Sequence, residues 1–533
     1  MPTIRDVTYD LLRELGLTTM FGNPGSTEEN FLKNFPSDFT YILALQEASV
    51  MGMADGYAQA TGRPAIINVH TAAGFGNAMG NLMTAFLNKT PIIVTAGQQA
   101  REMLLLEPFL TNVEATMLPR PWVKWSYEPG RAEDVPAAFM RAFATALQPP
   151  AGPVFLSLPL DDWDKPARGA AVVRTVSTRV APDPTRVRSF ADIFSKSRSP
   201  VLVFGSGIVR SGGWDAAIKF AETVRAPVWA APACERTPFP EDHPLYQGFL
   251  PFAIGPLAEK LKGHDLVLVI GAPVFRYYPY LAGEYVPTGT RLLQVTDDPQ
   301  EAARAPVGES LLGDALLTLV ALTELLPQSS RQMPQPRPRQ AVPPPTAPGR
   351  LTAAEVFFEL SEVKPENAVL VEESPSNVAE LHRWWPITRP DSFFTFASGG
   401  LGWNLPASVG IALGERATGR NRPVIVVIGD GAFQYSVQSL WTAAQQKLPI
   451  LFVVLCNGEY CILKSFAALQ GTPGVPGLDI PNLDIVSLGR GYGCKAQRAT
   501  TRVEIGEALK AALQSEGPTV LEIPISPEVP SLI

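Results

Sequence analysis

The stretch from Val424 to Tyr460, VIVVIGDGAFQYSVQSLWTAAQQKLPILFVVLCNGEY, constrains the fold of this chain more than any other. Its pattern predicts a buried strand over Val424–Ile428, a break at Gly429–Gly431, an apolar-patterned helical segment and a second buried strand over Ile450–Leu455. Two strands joined in this way form a βαβ unit, and both of them end at the same edge of a parallel sheet. The residues that follow the two strands should therefore lie side by side.

Asp430 and Asn457 are the polar residues that follow these strands. The glycines around them allow a diphosphate to approach the main chain closely. A carboxylate, amide and carbonyl oxygens, and phosphate oxygens together suit Mg²⁺. The sequence thus predicts a site for a metal ion and a diphosphate at this edge. A plain strand-to-helix turn is the alternative for Gly429–Gly431 alone, and the spacing to Asn457 favours the site.

A second group of polar residues lies in the first third of the chain, where helix and strand patterns alternate. Ser26, Glu47 and His70 each come shortly after a different predicted strand. The carboxyl ends of parallel strands share an edge, so these three side chains should converge there. The strands predicted in this part are Thr18–Phe21, Tyr41–Leu45, Ala65–Val69, Pro91–Ala96 and Val154–Leu158.

The alternation continues along the chain and predicts an α/β protein with three Rossmann-like, doubly wound domains. We place an N-terminal domain at 1–165, a central domain at 185–330 and a C-terminal domain at 351–533. Residues 331–350 are rich in proline and should form an extended linker. The turn Gly205-Ser206-Gly207 in the central domain is weak evidence for a nucleotide, and we predict no cofactor there.

Composition excludes several classes of protein. The 533 residues are 46% hydrophobic and carry a net charge of −7, without the basic face of a nucleic-acid-binding protein. No apolar run of transmembrane length occurs, and the N-terminus is an amphipathic helix rather than a signal peptide. Four cysteines without zinc-like spacing suit a reduced compartment. We expect a cytoplasmic protein that binds neither nucleic acid nor membrane.

Several longer stretches carry a resemblance to a known family. The chain resembles the thiamine diphosphate-dependent 2-keto acid decarboxylases of the pyruvate-decarboxylase type, and the benzoylformate decarboxylases in particular. The stretches include GNPGSTEENFLKNFP, YILALQEA, NVHTAAGFGNAMG, VLVIGAPVFRY and ASGGLGWNLPA, and the resemblance runs nearly end to end. It implies thiamine diphosphate and Mg²⁺ (or Ca²⁺ in its place) as cofactors. The implied reaction is the decarboxylation of a small-molecule 2-keto acid, with benzoylformate giving benzaldehyde and CO₂.

The resemblance also implies a role for individual residues. Glu47 would bind N1′ of the aminopyrimidine, while Ser26 and His70 would act on the substrate. The implied metal ligands are Asp430, Asn457 and the main-chain carbonyl of Glu459. The implied cofactor-binding residues, besides Glu47, are Gly399, Leu401, Ser376, Gly431, Ala432 and Tyr460.

The chain departs from the family pattern at several positions. Cys456 replaces the first asparagine of the metal motif, and Tyr278 stands where these decarboxylases carry a second catalytic histidine. The unperturbed pKa of tyrosine is near 10, so Tyr278 should be a poorer proton donor at neutral pH. Ile462 stands where a smaller side chain is usual and should narrow the substrate pocket. The implied pocket consists of Ser26, His70, Tyr278, Ile462, Leu463 and Phe466.

Three alternatives to benzoylformate decarboxylation stay open at this point. The chain could decarboxylate another 2-keto acid, or it could be a carboligase of the acetolactate-synthase type, which slower protonation at Tyr278 would favour. It could also bind the cofactor without turnover, against which the retained Glu47 and Asp430 argue. By resemblance, Glu47 of one chain faces the diphosphate site of another, so the minimal unit would be a homodimer and the full assembly a tetramer.

Overall fold

The first sheet lies near the N-terminus of the computed structural model, which describes residues 1–335, 341–343 and 350–532. Its six strands are all parallel, in the order β2-β1-β3-β4-β6-β5. The strands are β1 (Thr19–Asn23), β2 (Thr40–Leu43), β3 (Ala65–Val69), β4 (Ile92–Gln98), β5 (Ser126–Tyr127) and β6 (Val154–Pro159). The helices that cover it are α1 (Ile4–Glu14), α2 (Glu29–Leu32), α3 (Glu47–Thr61), α4 (Thr71–Leu87) and α5 (Val135–Leu147).

The second sheet is built in the same way, with the strand order β12-β11-β10-β7-β8-β9. Its strands are β7 (Pro200–Phe204), β8 (Val228–Ala230), β9 (Tyr246–Phe249), β10 (Leu266–Ile270), β11 (Arg291–Thr296) and β12 (Glu309–Leu312). Its helices are α6 (Pro184–Lys196), α7 (Gly207–Arg210), α8 (Trp214–Val224), α9 (Ile254–Lys260), α10 (Pro299–Ala303) and α11 (Ala315–Leu325). The turn at Gly205 packs directly against the main chain of Gly271, where a Cβ on Gly205 would lie 2.5 Å from the Gly271 carbonyl oxygen.

The third sheet has the order β14-β13-β15-β16-β18-β17 and is again parallel throughout. Its strands are β13 (Val369–Glu373), β14 (Phe393–Phe394), β15 (Val424–Gly429), β16 (Ile450–Cys456), β17 (Lys495–Arg498) and β18 (Thr519–Pro524). Its helices are α12 (Ala353–Val363), α13 (Val378–Trp384), α14 (Asn404–Ala417), α15 (Asp430–Phe433), α16 (Ser439–Gln445), α17 (Cys461–Gln470), α18 (Ile485–Gly491) and α19 (Arg502–Leu513).

The first and third sheets share a hydrophobic core, in which α3 packs against α14. Glycines allow these two helices to touch through their main chains. A Cβ on Gly410 would lie 1.8 Å from the carbonyl oxygen of Met53, and one on Gly56 would lie 2.1 Å from that of Ala407. The helix that begins at Glu47 is thereby fixed against the third sheet.

The predicted strands are confirmed, with boundaries that shift by no more than two residues. The strand Ala65–Val69 lies where the pattern predicts it. The βαβ prediction for Val424–Tyr460 is also confirmed, because β15 and β16 pair in parallel. Most of the proline-rich linker lies outside the described residues. Within the described residues, no helix has both the length and the apolar character needed to cross a membrane.

Candidate functional site

Glu47 is the first residue of α3 and is buried at the carboxyl edge of the first sheet. Its two carboxylate oxygens accept hydrogen bonds from Asn23 Nδ2, at 2.9 Å, and from Asn77 Nδ2, at 3.0 Å. Gly74 makes room for it, since a Cβ there would lie 3.1 Å from Glu47 Oε1. Two amide donors thus hold a buried carboxylate in one orientation, and no cationic side chain among the described residues pairs with either oxygen.

His70 lies beside this carboxylate and is held by a second one. Its Nδ1 is 2.9 Å from Glu28 Oε2 and 3.2 Å from Thr27 Oγ1. Glu28 is buried and also accepts the main-chain N–H groups of Gly25, at 2.9 Å, and Gly97, at 2.7 Å. Because Nδ1 is engaged in this way, Nε2 is the ring nitrogen left to exchange a proton with a substrate.

Ser26 lies on the same edge, in the turn after β1, and is exposed. The neighbouring Gly25 is in close contact with His70, where a Cβ would meet the ring Nδ1 at 2.1 Å. The structure therefore brings Ser26, Glu47 and His70 to one edge, as the convergence of strand ends predicts. Sequence reasoning missed Glu28, Asn23 and Asn77, which orient the side chains of Glu47 and His70.

Asp430 and Asn457 meet at the carboxyl edge of the third sheet. Gly429 pairs with Leu455 across β15 and β16, and Asp430 Oδ2 accepts the N–H of Gly458 at 2.8 Å. Burial raises the pKa of Asp430 to about 6, and the groups that oppose this rise are main-chain N–H donors. A cation beside this carboxylate would compensate its buried charge.

Asn457 is held on both sides of its amide. Its Oδ1 accepts the N–H of Glu459 at 3.1 Å, and its Nδ2 donates to Cys461 Sγ at 3.1 Å. The side-chain carboxylate of Glu459 accepts hydrogen bonds from Cys461 Sγ and Lys464 Nζ. In the described residues, no cluster of three or more His, Cys, Asp or Glu side chains is arranged to hold a metal ion. The predicted metal site has a different composition, of one carboxylate, one amide and one main-chain carbonyl.

The other predicted cofactor residues surround this edge. Gly431 and Ala432 are buried at the start of α15, and Tyr460 packs on Gly431. Ser376 is half-buried in the segment after β13. Gly399 and Leu401 lie in the loop that leads into α14, and Gly399 has a φ of 73°.

Glu373 fixes the end of that loop. Its fully buried carboxyl group accepts the N–H of Gly402 at 2.6 Å and that of Asn404 at 2.7 Å. Burial raises the pKa of Glu373 to about 8, although the two N–H donors favour the ionised form. The carboxyl group caps α14 and holds Gly402, which has a φ of 103°.

The predicted pocket wall is assembled from two parts of the chain. Tyr278 lies after β10 and is 65% exposed, and its ring centroid is 4.8 Å from that of Phe466 on α17. Ile462 is half-buried and Leu463 is exposed in the same helix. Tyr278 thus lies next to the helix that follows the predicted metal loop.

Comparisons with known proteins agree along the whole chain. Three family profiles match it: the thiamine pyrophosphate enzyme N-terminal TPP binding domain over residues 2–115, the central domain over 187–322 and the C-terminal TPP binding domain over 376–523. Benzoylformate decarboxylase of Pseudomonas aeruginosa is 46% identical over 98% of this chain and 99% of that protein.

Solved structures show the same similarity. Benzoylformate decarboxylase from Polynucleobacter necessarius is 55% identical, with a TM-score of 0.98 over 100% of both chains. The thiamine diphosphate-dependent 4-hydroxybenzoylformate decarboxylase of Rhodococcus jostii is 41% identical, with a TM-score of 0.95 over 98% of this chain and 99% of that one. This chain therefore belongs to the thiamine pyrophosphate enzyme family, together with the benzoylformate decarboxylases.

Proposed function

We propose that this protein decarboxylates an aromatic 2-keto acid, with benzoylformate as the first candidate, to the aldehyde and CO₂. The observation that carries the proposal is the pair of polar groups at two sheet edges, one around Glu47 and His70 and one around Asp430 and Asn457. Similarity to benzoylformate decarboxylases at 46% and 55% identity supports the choice of substrate. When bound, thiamine diphosphate supplies the electron sink that accepts the electron pair released with CO₂.

The edge of the third sheet fits a diphosphate and a metal ion. A Cβ built on Gly429 or Gly458 has no atom within 4 Å, so there is open space beside Asp430. The donor set of Asp430, Asn457 and the Glu459 carbonyl consists of hard oxygen atoms, which Mg²⁺ prefers and Ca²⁺ also accepts. Ser376, Gly431, Ala432 and Tyr460 are the residues we assign to the diphosphate.

Glu47 is assigned to the aminopyrimidine of the cofactor, together with Gly399 and Leu401. Its carboxylate, already oriented by Asn23 and Asn77, would hold a proton at the ring nitrogen N1′. A carboxylate in a buried position is suited to such a proton shift, because little water competes for the hydrogen bond. The Gly399 carbonyl would receive the 4′ amino group, and Leu401 would support the bent cofactor.

His70 and Ser26 are assigned to the substrate. Glu28 orients the imidazole through Nδ1, at 2.9 Å, so that Nε2 moves the proton at the substrate carbonyl oxygen. The exposed hydroxyl of Ser26 would bind the substrate carboxylate. The rings of Tyr278 and Phe466 would form an aromatic wall, which suits a phenyl substituent better than an aliphatic one.

A carboligase reaction is the second candidate. The observation that favours it is the phenol at Tyr278, which is a poorer proton donor than an imidazole at neutral pH. Slow protonation would leave time for attack on a second carbonyl compound. The two reactions differ in product, which is an aldehyde in one case and a 2-hydroxy ketone in the other.

We also propose a homodimer as the minimal active unit, a tetramer as the full assembly and the cytoplasm as the location. An apolar segment supports self-association. Leu105, Leu106, Phe109 and Val113 are 93%, 73%, 96% and 65% exposed in the segment after β4. Exposed apolar residues in such a contiguous segment are typical of a protein–protein interface.

A panel of 2-keto acids tests the proposed function. Purified protein with thiamine diphosphate and Mg²⁺ is given benzoylformate, 4-hydroxybenzoylformate and aliphatic 2-keto acids, and CO₂, aldehyde and 2-hydroxy ketone are quantified. We expect equal amounts of CO₂ and aromatic aldehyde, with turnover highest for the aromatic substrates. Release of CO₂ with 2-hydroxy ketone as the main product would favour the carboligase, and no CO₂ from any substrate would refute both.

A further inference from the structure

The loop at 397–403 leads into α14 and carries Gly399 and Leu401, both assigned above to the cofactor. Its main chain passes through left-handed conformations at Gly399 and Gly402, with φ values of 73° and 103°. Apart from Glu373 and Ser436, the polar groups that hold this loop come from the N-terminal part of the chain. The position of the loop therefore depends on how the first sheet and its helices contact the third sheet.

Three side chains at α4 and its C-terminal end reach the loop. Asn81 Nδ2 donates to the Gly402 carbonyl at 3.3 Å. The hydroxyls of Thr84 and Ser398 are 2.9 Å apart, and the N–H of Ala397 donates to Asn88 Oδ1 at 2.9 Å. The first two residues of the loop and Gly402 near its end are thus tied to the helices of the first sheet.

Asp55, on α3, connects these ties to one another. It is 0% exposed, and Trp403 Nε1 donates to its Oδ2 at 2.7 Å. Asn88 Nδ2 donates to the same oxygen at 2.8 Å, so Asn88 bridges Asp55 and Ala397. Asp55 therefore holds the end of the loop directly through Trp403 and its beginning through Asn88.

The other oxygen of Asp55 faces away from the loop. Its Oδ1 accepts from Thr90 Oγ1 at 2.6 Å and from Gln59 Nε2 at 2.8 Å. Four donors thus converge on the two oxygens of one carboxylate. A neutral amide in its place would direct its NH₂ group, which is a donor, at two of these donors. Because the group is buried, each donor left without a partner carries a desolvation cost.

We propose that Asp55 is a positioning residue for the cofactor, which it serves by fixing the loop at 397–403 and, with it, the Gly399 carbonyl and Leu401. This inference rests on the proposed function. Asp55 acts through Trp403 and Asn88 and touches no reacting atom. One oxygen of Asp55 contacts Trp403 and Asn88, which hold the loop, and the other contacts Thr90 and Gln59, which do not. Substitutions on the two sides can therefore separate a positioning role from a purely structural one.

Two pairs of conservative variants make the test. Trp403→Phe and Asn88→Ala each remove one donor from the loop side of the Asp55 carboxylate. Thr90→Val and Gln59→Leu each remove one donor from the opposite oxygen and leave the loop contacts intact. Binding of thiamine diphosphate to the full apo chain in the presence of Mg²⁺ is measured by calorimetry, and the melting temperature of each apo variant is recorded beside it.

We expect Trp403→Phe to weaken thiamine diphosphate binding about ten-fold, as for the loss of one buried hydrogen bond. Asn88→Ala should weaken it at least as much, because it also removes the acceptor of the Ala397 N–H. Thr90→Val and Gln59→Leu should stay within about two-fold of wild type. Equal weakening in all four variants, in proportion to their melting temperatures, would show that Asp55 only stabilises the core and would overturn the proposal. Wild-type affinity in the two loop-side variants would overturn it as well. If the wild-type chain itself does not bind thiamine diphosphate, the proposed function falls and this inference falls with it.

Discussion

Glu47 is the residue on which the proposed chemistry depends most. Glu47→Gln keeps the size of the side chain and still accepts a hydrogen bond from one of the two asparagines. It removes the negative charge that would hold a proton at N1′. We expect decarboxylation to fall at least about 100-fold, the lower range for loss of a general acid or base. Turnover is measured with saturating cofactor. Glu29→Gln, on an exposed carboxylate of α2, is the control. Full activity in Glu47→Gln would refute the assignment.

In the proposed function, Tyr278 would be the group that protonates the substrate-derived carbanion. Tyr278→His replaces a group with an ordinary pKa near 10 by one with an ordinary pKa near 6.5. We expect kcat for benzoylformate to rise about ten-fold at neutral pH, together with a lower yield of 2-hydroxy ketone. Tyr280→His, two residues further on and 81% exposed, should leave both values unchanged. A rate that stays constant or falls in Tyr278→His would show that the pocket is adapted to another substrate.

The sequence predicted which residues gather at each sheet edge but not what orients them. Glu47 and His70 follow strand ends, and that position alone predicts where they lie. Glu28 belongs to a polar stretch, Ser26 to Asn30, that looks like an exposed turn. Its burial depends on the N–H of Gly97, which lies 69 positions away along the chain. A contact of this kind follows from strand order, and no local pattern reveals it.

At the level of elements, the site depends on how closely α3 packs against α14. Gly410→Ala would place a Cβ 1.8 Å from the Met53 carbonyl oxygen, so the helices must separate. We expect a loss of about 3 kcal/mol in the free energy of unfolding, as for an overpacked core, and weaker cofactor binding. Urea denaturation and calorimetry check these two effects.

Gly80→Ala provides the matched control for Gly410→Ala, as a glycine-to-alanine change in a helix where there is room for a Cβ. Gly80 lies in α4, and a Cβ there has no atom within 4 Å. Alanine is a better helix former than glycine, so this variant should gain about 0.5–1 kcal/mol. If Gly410→Ala is as stable as Gly80→Ala, the close approach of α3 and α14 is not needed for the fold.

The long central strands were predictable from sequence, and the two-residue edge strands were not. β10 is a continuous apolar run, β3 is interrupted by Asn68 alone, and both are buried on both faces, as a central strand of a parallel sheet requires. β5 and β14 are two residues long and carry no periodic pattern. Each of them forms a strand by pairing with the edge of a longer neighbour, β6 for β5 and β13 for β14. Their conformation therefore depends on tertiary structure.

At the level of the whole molecule, the two polar groups of the candidate site lie on the first and third sheets of each chain. The shared core and the Asp55 contacts keep the first and third sheets in a fixed relation. The second sheet contributes Tyr278, which lies against Phe466 of the third. In the proposed function, the Tyr278 side of the pocket wall thus lies on a different unit from the metal site.

The exposed apolar segment after β4 gives the last prediction, on assembly. Leu105→Ser combined with Phe109→Ser removes two side chains that are 93% and 96% exposed, so the fold of the isolated chain should be unaffected. If a second copy covers this segment, the double variant should sediment as a smaller species than wild type. Because Glu47 would then lack the diphosphate site of its partner, decarboxylation should fall in parallel with the loss of assembly. Val172→Ser combined with Val180→Ser, in the segment between β6 and α6, is the control, because both side chains are exposed. A fully active monomer in matched sedimentation and activity assays would refute the homodimer as the minimal active unit.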